Sequence, residues 1–250
     1  MSVLLENQCK WLNQTEGKLH TLDGYYCEKC RGKGHFYKVR GDEVVGVKCS
    51  CLAVRRTLRI IHSSGLESML KTKTFDSFKA TEKWQAALKD KARLFVNNEE
   101  KRMFFIGGQC GAGKTHLCTA ICSELIKQSK PTLYFLWTRD ARALKAAAND
   151  VAFADIIAPY KETEVLYIDD FFKVMQGASP TPADVNIAFE ILNSRLIDPT
   201  KITIISSEFS ISELLELDEG IASRICECGG DFIVSISKSH EKNYRLKCFP

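Results

Sequence analysis

An α/β fold, with a parallel sheet flanked by helices, is predicted by three observations. The stretch GQCGAGKT, residues 108–115, stands between an apolar run at 103–106 and a helical pattern at 115–127. Strand, glycine-rich turn and helix in that order are the setting of a phosphate-binding loop, the mark of a P-loop NTPase core. The stretch EVLYIDDFF, residues 164–172, is a continuous apolar run containing two adjacent acids, the pattern of a parallel strand covered on both faces. From residue 102 onward strand and helix patterns alternate, which predicts ligand at the carboxyl ends of the strands.

In chain order, residues 1–52 are expected to form a small zinc-binding domain. Cys27 and Cys30 make a C-x2-C pair, Cys49 and Cys51 a C-x-C pair, and the segments HFYKV and EVVGVK between them alternate as a hairpin does. Two thiolate pairs carried on turns and brought together by a hairpin complete a tetrahedral Zn²⁺ shell, with His35 an alternative to one sulfur. A segment so poor in large apolar residues needs a staple of this kind. The neighbouring Lys29, Arg31, Lys33 and Lys48 offset the thiolate charge. Residues 53–98 read as a connector: a basic helix over 52–72 carrying Arg55, Arg56 and Arg59, the stretch TFDSF at 74–78, and an amphipathic helix over 82–97. Residues 99–250 hold the nucleotide-binding domain. Its strands are expected at 102–107, 132–137, 164–169, 201–206 and 231–237, its helices at 114–128, 139–149, 183–197 and 210–227.

The chemistry follows from residue types. Gly108 and Gly113 permit backbone angles that a Cβ disfavours. The N–H groups of the loop, from Gln109, Cys110, Gly111 and Ala112 on to His116, can then converge on phosphate oxygens. Lys114 reaches the β- and γ-phosphates of ATP, and the Thr115 hydroxyl ligates Mg²⁺. At the end of the buried strand Asp169 is expected to hold Mg²⁺, and Asp170 to orient or deprotonate the attacking water. Many ATPases carry Glu at that second position, so the shorter Asp implies slow turnover.

Three later segments narrow the class. KITIISSEF, 201–209, is a β-branched strand ending in small polar residues. IASRI, 221–225, presents Arg224. Residues 226–250 leave room for a last strand or hairpin but not for a helical lid. With TFDSF, the phosphate loop, VLYIDDFF and NYRLK, these resemble the AAA+ ATPases, and among them the DnaC/DnaI helicase-loader family with its prophage-type members and the related IstB-like ATP-binding proteins. The resemblance implies that Arg224 is an arginine finger inserted into a neighbour's site and that Ser206 or Ser207 senses the γ-phosphate. The family commonly has Asn at the sensor. Glu208 in that triplet would repel the γ-phosphate unless Mg²⁺ or a base intervenes. The resemblance further implies an ATPase that loads a replicative DNA helicase onto single-stranded DNA, binding the helicase through the zinc domain and assembling with its own copies when ATP-bound. Two alternatives stay open: an ATP-binding helper of a transposase, and an ATP-dependent protein-binding switch without DNA contact.

Composition sets bounds on these readings. At 45% hydrophobic and 26% charged residues the chain has the balance of a globular protein, and no apolar run is long enough to span a bilayer. A cytoplasmic location is expected, since the N-terminus carries no basic region before its short apolar patch. Eleven cysteines therefore point to metal ligation or reduced core thiols rather than disulfides. A net charge of +4 permits contact with nucleic acid without demanding it. Cys118 and Cys122 are expected to pack as small apolar side chains, and the Cys226/Cys228 pair is not read as a metal site.

Overall fold

The computed structural model describes residues 2–64, 66–128, 130–175 and 178–246. The chain opens with helix α1 (Ser2–Gln14) and a single turn α2 (His20–Asp23). A hairpin follows, β1 (His35–Arg40) with β2 (Glu43–Lys48), paired antiparallel from His35↔Lys48 to Arg40↔Glu43. Helix α1 lies on this hairpin: the Asn13 side chain accepts from the Tyr37 N–H at 2.8 Å and donates to the Tyr37 carbonyl at 2.9 Å. The hairpin matches the alternation of the sequence. Helix α1 was not foreseen, because those residues were weighed only as an export signal.

The expected connector helix over 52–72 is two helices, α3 (Cys51–Ser64) and α4 (Leu66–Thr72), followed by α5 (Lys83–Val96). Helix α5 starts with a capping box: Gln85 accepts from the Glu82 N–H at 2.9 Å while the Glu82 side chain takes the Gln85 N–H.

The remainder is a five-stranded parallel sheet in the order β4-β5-β6-β3-β7. Its strands are β3 (Met103–Gly108), β4 (Thr132–Leu136), β5 (Val165–Phe171), β6 (Ile202–Ser207) and β7 (Ile233–Ile236). Each begins within about two residues of its expected start. Because successive side chains of a strand point to opposite faces, the sheet feeds two apolar layers. Phe104, Ile106, Tyr167 and Ile204 pack with α5 and α6 (Lys114–Lys127), in a layer that includes Cys118 and Cys122. Met103, Phe105, Phe135, Ile168 and Ile205 pack on the other side. That side is covered by α7 (Trp137–Ala146), α8 (Phe153–Glu162), α9 (Pro182–Ile197), α10 (Ile211–Leu217) and α11 (Glu219–Gly229).

Two elements depart from the sequence reading. The helix expected over 210–227 is broken at Asp218, whose backbone is extended and whose carboxylate accepts from the Ile221 N–H at 2.7 Å, so that it caps a new helix. Helix α8 was not anticipated, and Pro159 lies inside it. Among the described residues no helical lid follows β7.

The fold also sets Arg195 of α9 under the sheet, 1% exposed. Its Nε donates to Thr203 Oγ1 at 2.9 Å, and its two terminal nitrogens reach the carbonyls of Tyr160, Thr163, Glu164 and Ile202 between 2.6 and 3.2 Å. The amino ends of β5 and β6 are thereby pinned together.

Candidate nucleotide and metal sites

Strand β3 delivers the chain into the 108–115 loop, and α6 begins at Lys114, so the helix N-terminus faces the loop as the sequence implies. Gly108, Gly111 and Gly113 have φ of 101°, 71° and 89°. At Gly108 no larger residue is accommodated, because a Cβ would overlap the Ile236 carbonyl of β7. Lys114 is 8% exposed, and its ammonium donates to the Gly108 and Gln109 carbonyls, both at 2.7 Å. Burial pushes its pKa down, against the pull of Cys110, Glu208 and Asp170. A buried cation held at the mouth of a loop with left-handed glycines is a fit for a polyphosphate.

The Mg²⁺ side is assembled around Asp169, which is 4% exposed. Thr115 Oγ1 donates to its Oδ1 at 3.1 Å, Tyr134 OH donates to its Oδ2 at 2.9 Å, and Ser206 Oγ also donates to Oδ1. Thr115 and Asp169, far apart in sequence, therefore offer adjacent oxygen donors, the hard ligands Mg²⁺ prefers. Beyond Asp169 the strand bulges against β6. Asp170 adopts a left-handed φ of 55°, Phe172 one of 60°. Two successive Phe rings, Phe171 and Phe172, stack at 4.1 Å between centroids and lie edge-on to Trp137, which holds the strained turn in place. Burial, then the Asp169 charge, raises the Asp170 pKa.

Around this pair stand the other expected site residues. Ser207 is fully buried, and its hydroxyl donates to the Phe171 carbonyl at 2.8 Å and accepts from the Phe209 N–H. It is committed to the bulge and is not turned to the phosphate loop. Ser206 serves Asp169. His116 donates from Nε2 to the Thr74 carbonyl at 2.9 Å and meets the Phe78 ring edge-on, on the flank of the loop that faces TFDSF. Cys110 does not face outward alone: Arg245 donates to its sulfur at 3.7 Å, and Glu208 is near enough to be influenced by it. Arg224 on α11 donates to the Gly220 carbonyl at 2.7 Å and lies 4.7 Å over the Phe189 ring. It has no described contact with residues 108–116.

Two parts of the site were missed by sequence reasoning. One is Lys173, which pairs with both Asp170 (3.2 Å) and Glu208 (3.0 Å). It is the base that the acid in the sensor triplet requires. The other is the segment after β7. There Ser239 N–H donates to the Gln109 side chain at 2.8 Å, Tyr244 N–H donates to the Gly111 carbonyl at 3.0 Å, and Asn243 occupies the space a Cβ at Gly111 would need.

The second site is the cysteine cluster. The sulfurs of Cys27, Cys30, Cys49 and Cys51 lie within 4.8 Å of one another, with Cys27–Cys49 at 3.8 Å and Cys30–Cys51 at 3.4 Å. Zn–S bonds of about 2.3 Å arranged tetrahedrally require sulfurs about 3.8 Å apart, so the four residues fit the ion. His35 is outside this set and packs edge-on against Tyr37. The Gly34 N–H donates to the Cys30 sulfur at 3.3 Å, as backbone amides do toward thiolate ligands. Beside the cluster Arg55 is fully buried; it donates to Asp23 Oδ1 at 2.5 Å, while its Nε and Nη2 have no hydrogen-bond partner among the described residues. Burial pushes the Cys51 thiol well up, and Arg55 pulls the other way, toward the thiolate. A cavity of about 630 Å³, lined by Leu22, Tyr25, Leu58, Leu70 and Ile126, separates this module from the nucleotide domain.

Comparison with known proteins agrees with the fold. Residues 69–229 match the bacterial DnaA ATPase domain family. Over 237 residues the chain is 31% identical to the phage-like element PBSX protein XkdC of Bacillus subtilis (strain 168), covering 89% of this chain and 87% of that one. Among solved structures it is similar to the DnaC helicase loader, with a TM-score of 0.51, 18% identity, and coverage of 66% of this chain and 95% of that chain. It is also similar to the replication initiator DnaA bound to AMPPCP and single-stranded DNA, with a TM-score of 0.54, 21% identity, and coverage of 70% and 54%. At such identities the two structures speak to the fold.

Proposed function

The chain belongs to the bacterial DnaA ATPase domain family, an AAA+ fold, and from that premise we propose that it is an ATP-dependent loader of a replicative DNA helicase onto single-stranded DNA. The observation that carries the nucleotide half is the meeting of Lys114, Thr115 and Asp169 at the ends of β3 and β5. Lys114 would leave the loop carbonyls for the β- and γ-phosphates, and the loop N–H groups would take the remaining oxygens. Mg²⁺, held by Thr115 and Asp169, would neutralise charge developing on the phosphate oxygens. The His116 flank and TFDSF would form the base side, and Arg224, standing on a surface helix, would complete the site of a neighbouring copy. Residues 1–52 serve as the partner-binding domain and 99–250 as the motor, with 53–98 between them.

Support for the loader reading comes from the likeness to the DnaC helicase loader and from the four-cysteine module, which favours a loader over a transposase helper. The DnaA structure holding single-stranded DNA supports DNA as a second partner. The work would be done in the cytoplasm, by ATP-bound assemblies with low intrinsic turnover. Co-purification of the full chain from its host, with and without ATP, tests the reading: replicative helicase should be recovered, and Lys114→Ala should bind no ATP and lose any ATP-dependent release. Recovery of a transposase without helicase would overturn it.

A further inference from the structure

The sheet order sets the carboxyl end of β6 between the two strands that build the nucleotide site, β3 on one side and β5 on the other. Glu208 is the first residue beyond that strand. The two residues before it have no hydroxyl to spare: Ser206 is spent on Asp169 and Ser207 on the Phe171 carbonyl. Glu208, by contrast, keeps 37% of its side chain open. Its charge acts on Lys114, ahead of that of Asp170.

Asp170 is poorly placed to work alone. It is one methylene shorter than Glu, and its backbone is left-handed at φ 55°. Lys173 meets Glu208 at 3.0 Å; burial disfavours the Glu208 carboxylate, but Lys173, Cys110 and Lys114 outweigh it and hold it below the usual carboxylate range. Lys173 removes the objection to a third carboxylate here. With Lys114 it balances Asp170 and Glu208, leaving Asp169 for the metal.

We propose that Glu208 is the catalytic carboxylate that orients and deprotonates the attacking water, and that Lys173 is the positioning residue that holds Glu208 and Asp170 as a pair. This rests on ATP being hydrolysed at the 108–115 loop. In that step the water oxygen bonds to the γ-phosphorus as the bond to the β–γ bridging oxygen breaks. ADP leaves with that electron pair, and the proton shed by the water passes to Glu208 and then to the phosphate released. The neighbouring strand thus supplies the reach that Asp170 lacks.

The test is single-turnover hydrolysis of γ-labelled ATP, read beside the affinity for a fluorescent ATP analogue and the thermal unfolding midpoint of each full-length variant. Glu208→Gln should bind the analogue within about threefold of the parent, unfold at the same temperature, and hydrolyse about 100-fold more slowly. Asp170→Asn should lose less. Lys173→Met should slow hydrolysis about tenfold with binding retained, and Lys173→Arg should restore most of it, which a purely structural lysine would not require. Hydrolysis by Glu208→Gln at or above the parent rate would show that the acid merely repels phosphate, and the proposal falls. Parent-like turnover in Lys173→Met removes the positioning role. Analogue binding by Lys114→Ala as tight as the parent's would instead show that the loop is not the nucleotide site, a failure of the underlying reading that the Glu208 variants alone do not produce.

Discussion

Arg195 and Arg55 are both fully buried, yet one is complete and the other is not. Every donor of Arg195 finds an oxygen supplied by the fold, mostly backbone carbonyls at the amino ends of β5 and β6. Arg55 has one carboxylate, one Tyr25 ring at 5.4 Å and two donors without a hydrogen-bond partner among the described residues. Burying a cation without full compensation is costly. In the sheet domain the compensation is built by the chain itself. In the cysteine module Asp23 supplies part of it and Cys51 stands close enough to add to it, within a cluster of four thiols that fits a metal ion.

Removing zinc should have the largest consequence. Structural zinc contributes on the order of 10–16 kcal/mol to small modules of this kind, so a chelator, or Cys27→Ser with Cys30→Ser, should unfold the N-terminal module. Proteolysis of residues 1–52 would report it, while ATP affinity stays near that of the parent. A metal-free chain whose N-terminal segment resists protease would break the contrast at its root. Next in size is Arg195→Met, which strands carbonyls under the sheet and should cost about 1–3 kcal/mol for each one left unpaired. Chemical denaturation should show it in the nucleotide domain, with zinc affinity unmoved. A midpoint unchanged by this substitution would mean that the carbonyls find other donors. The smallest effect is expected from Arg55→Met: zinc affinity should fall about 10- to 100-fold, as for other outer-shell partners, measured by competition with a chromophoric chelator. Equal affinity would sever Arg55 from the metal.

The same contrast explains what the sequence could reveal. The phosphate loop, the Asp169 strand and the two cysteine pairs are local patterns, and the hairpin that joins the pairs is local too. The partners of Arg195 come from two separated stretches, 160–164 and 202–203, and no spacing announces them. Lys173 carried a faint signal, a lone cation three residues after Asp170, but its second partner Glu208 lies just past another strand, β6. Ser207 could have been dismissed earlier: in a strand it must face the opposite way from Ser206, and Ser206 shares the Asp169 side. The break at Asp218 was legible as an N-cap residue, while Pro159 concealed α8 by making the stretch look unhelical.

The sheet order has a consequence in time. Ile106 of β3 pairs with Ser206 on one edge and with Val234 on the other. At roughly 5–20 residues per second of synthesis those partners emerge on the order of 5 to 25 s after Ile106. The hairpin of the cysteine module, with Arg40 opposite Glu43, can close within microseconds of its own emergence. On a translating ribosome the first part of this protein is thus finished early, while the apolar run MFFI waits with both edges bare. Slower synthesis lengthens that wait and leaves the cysteine module untouched.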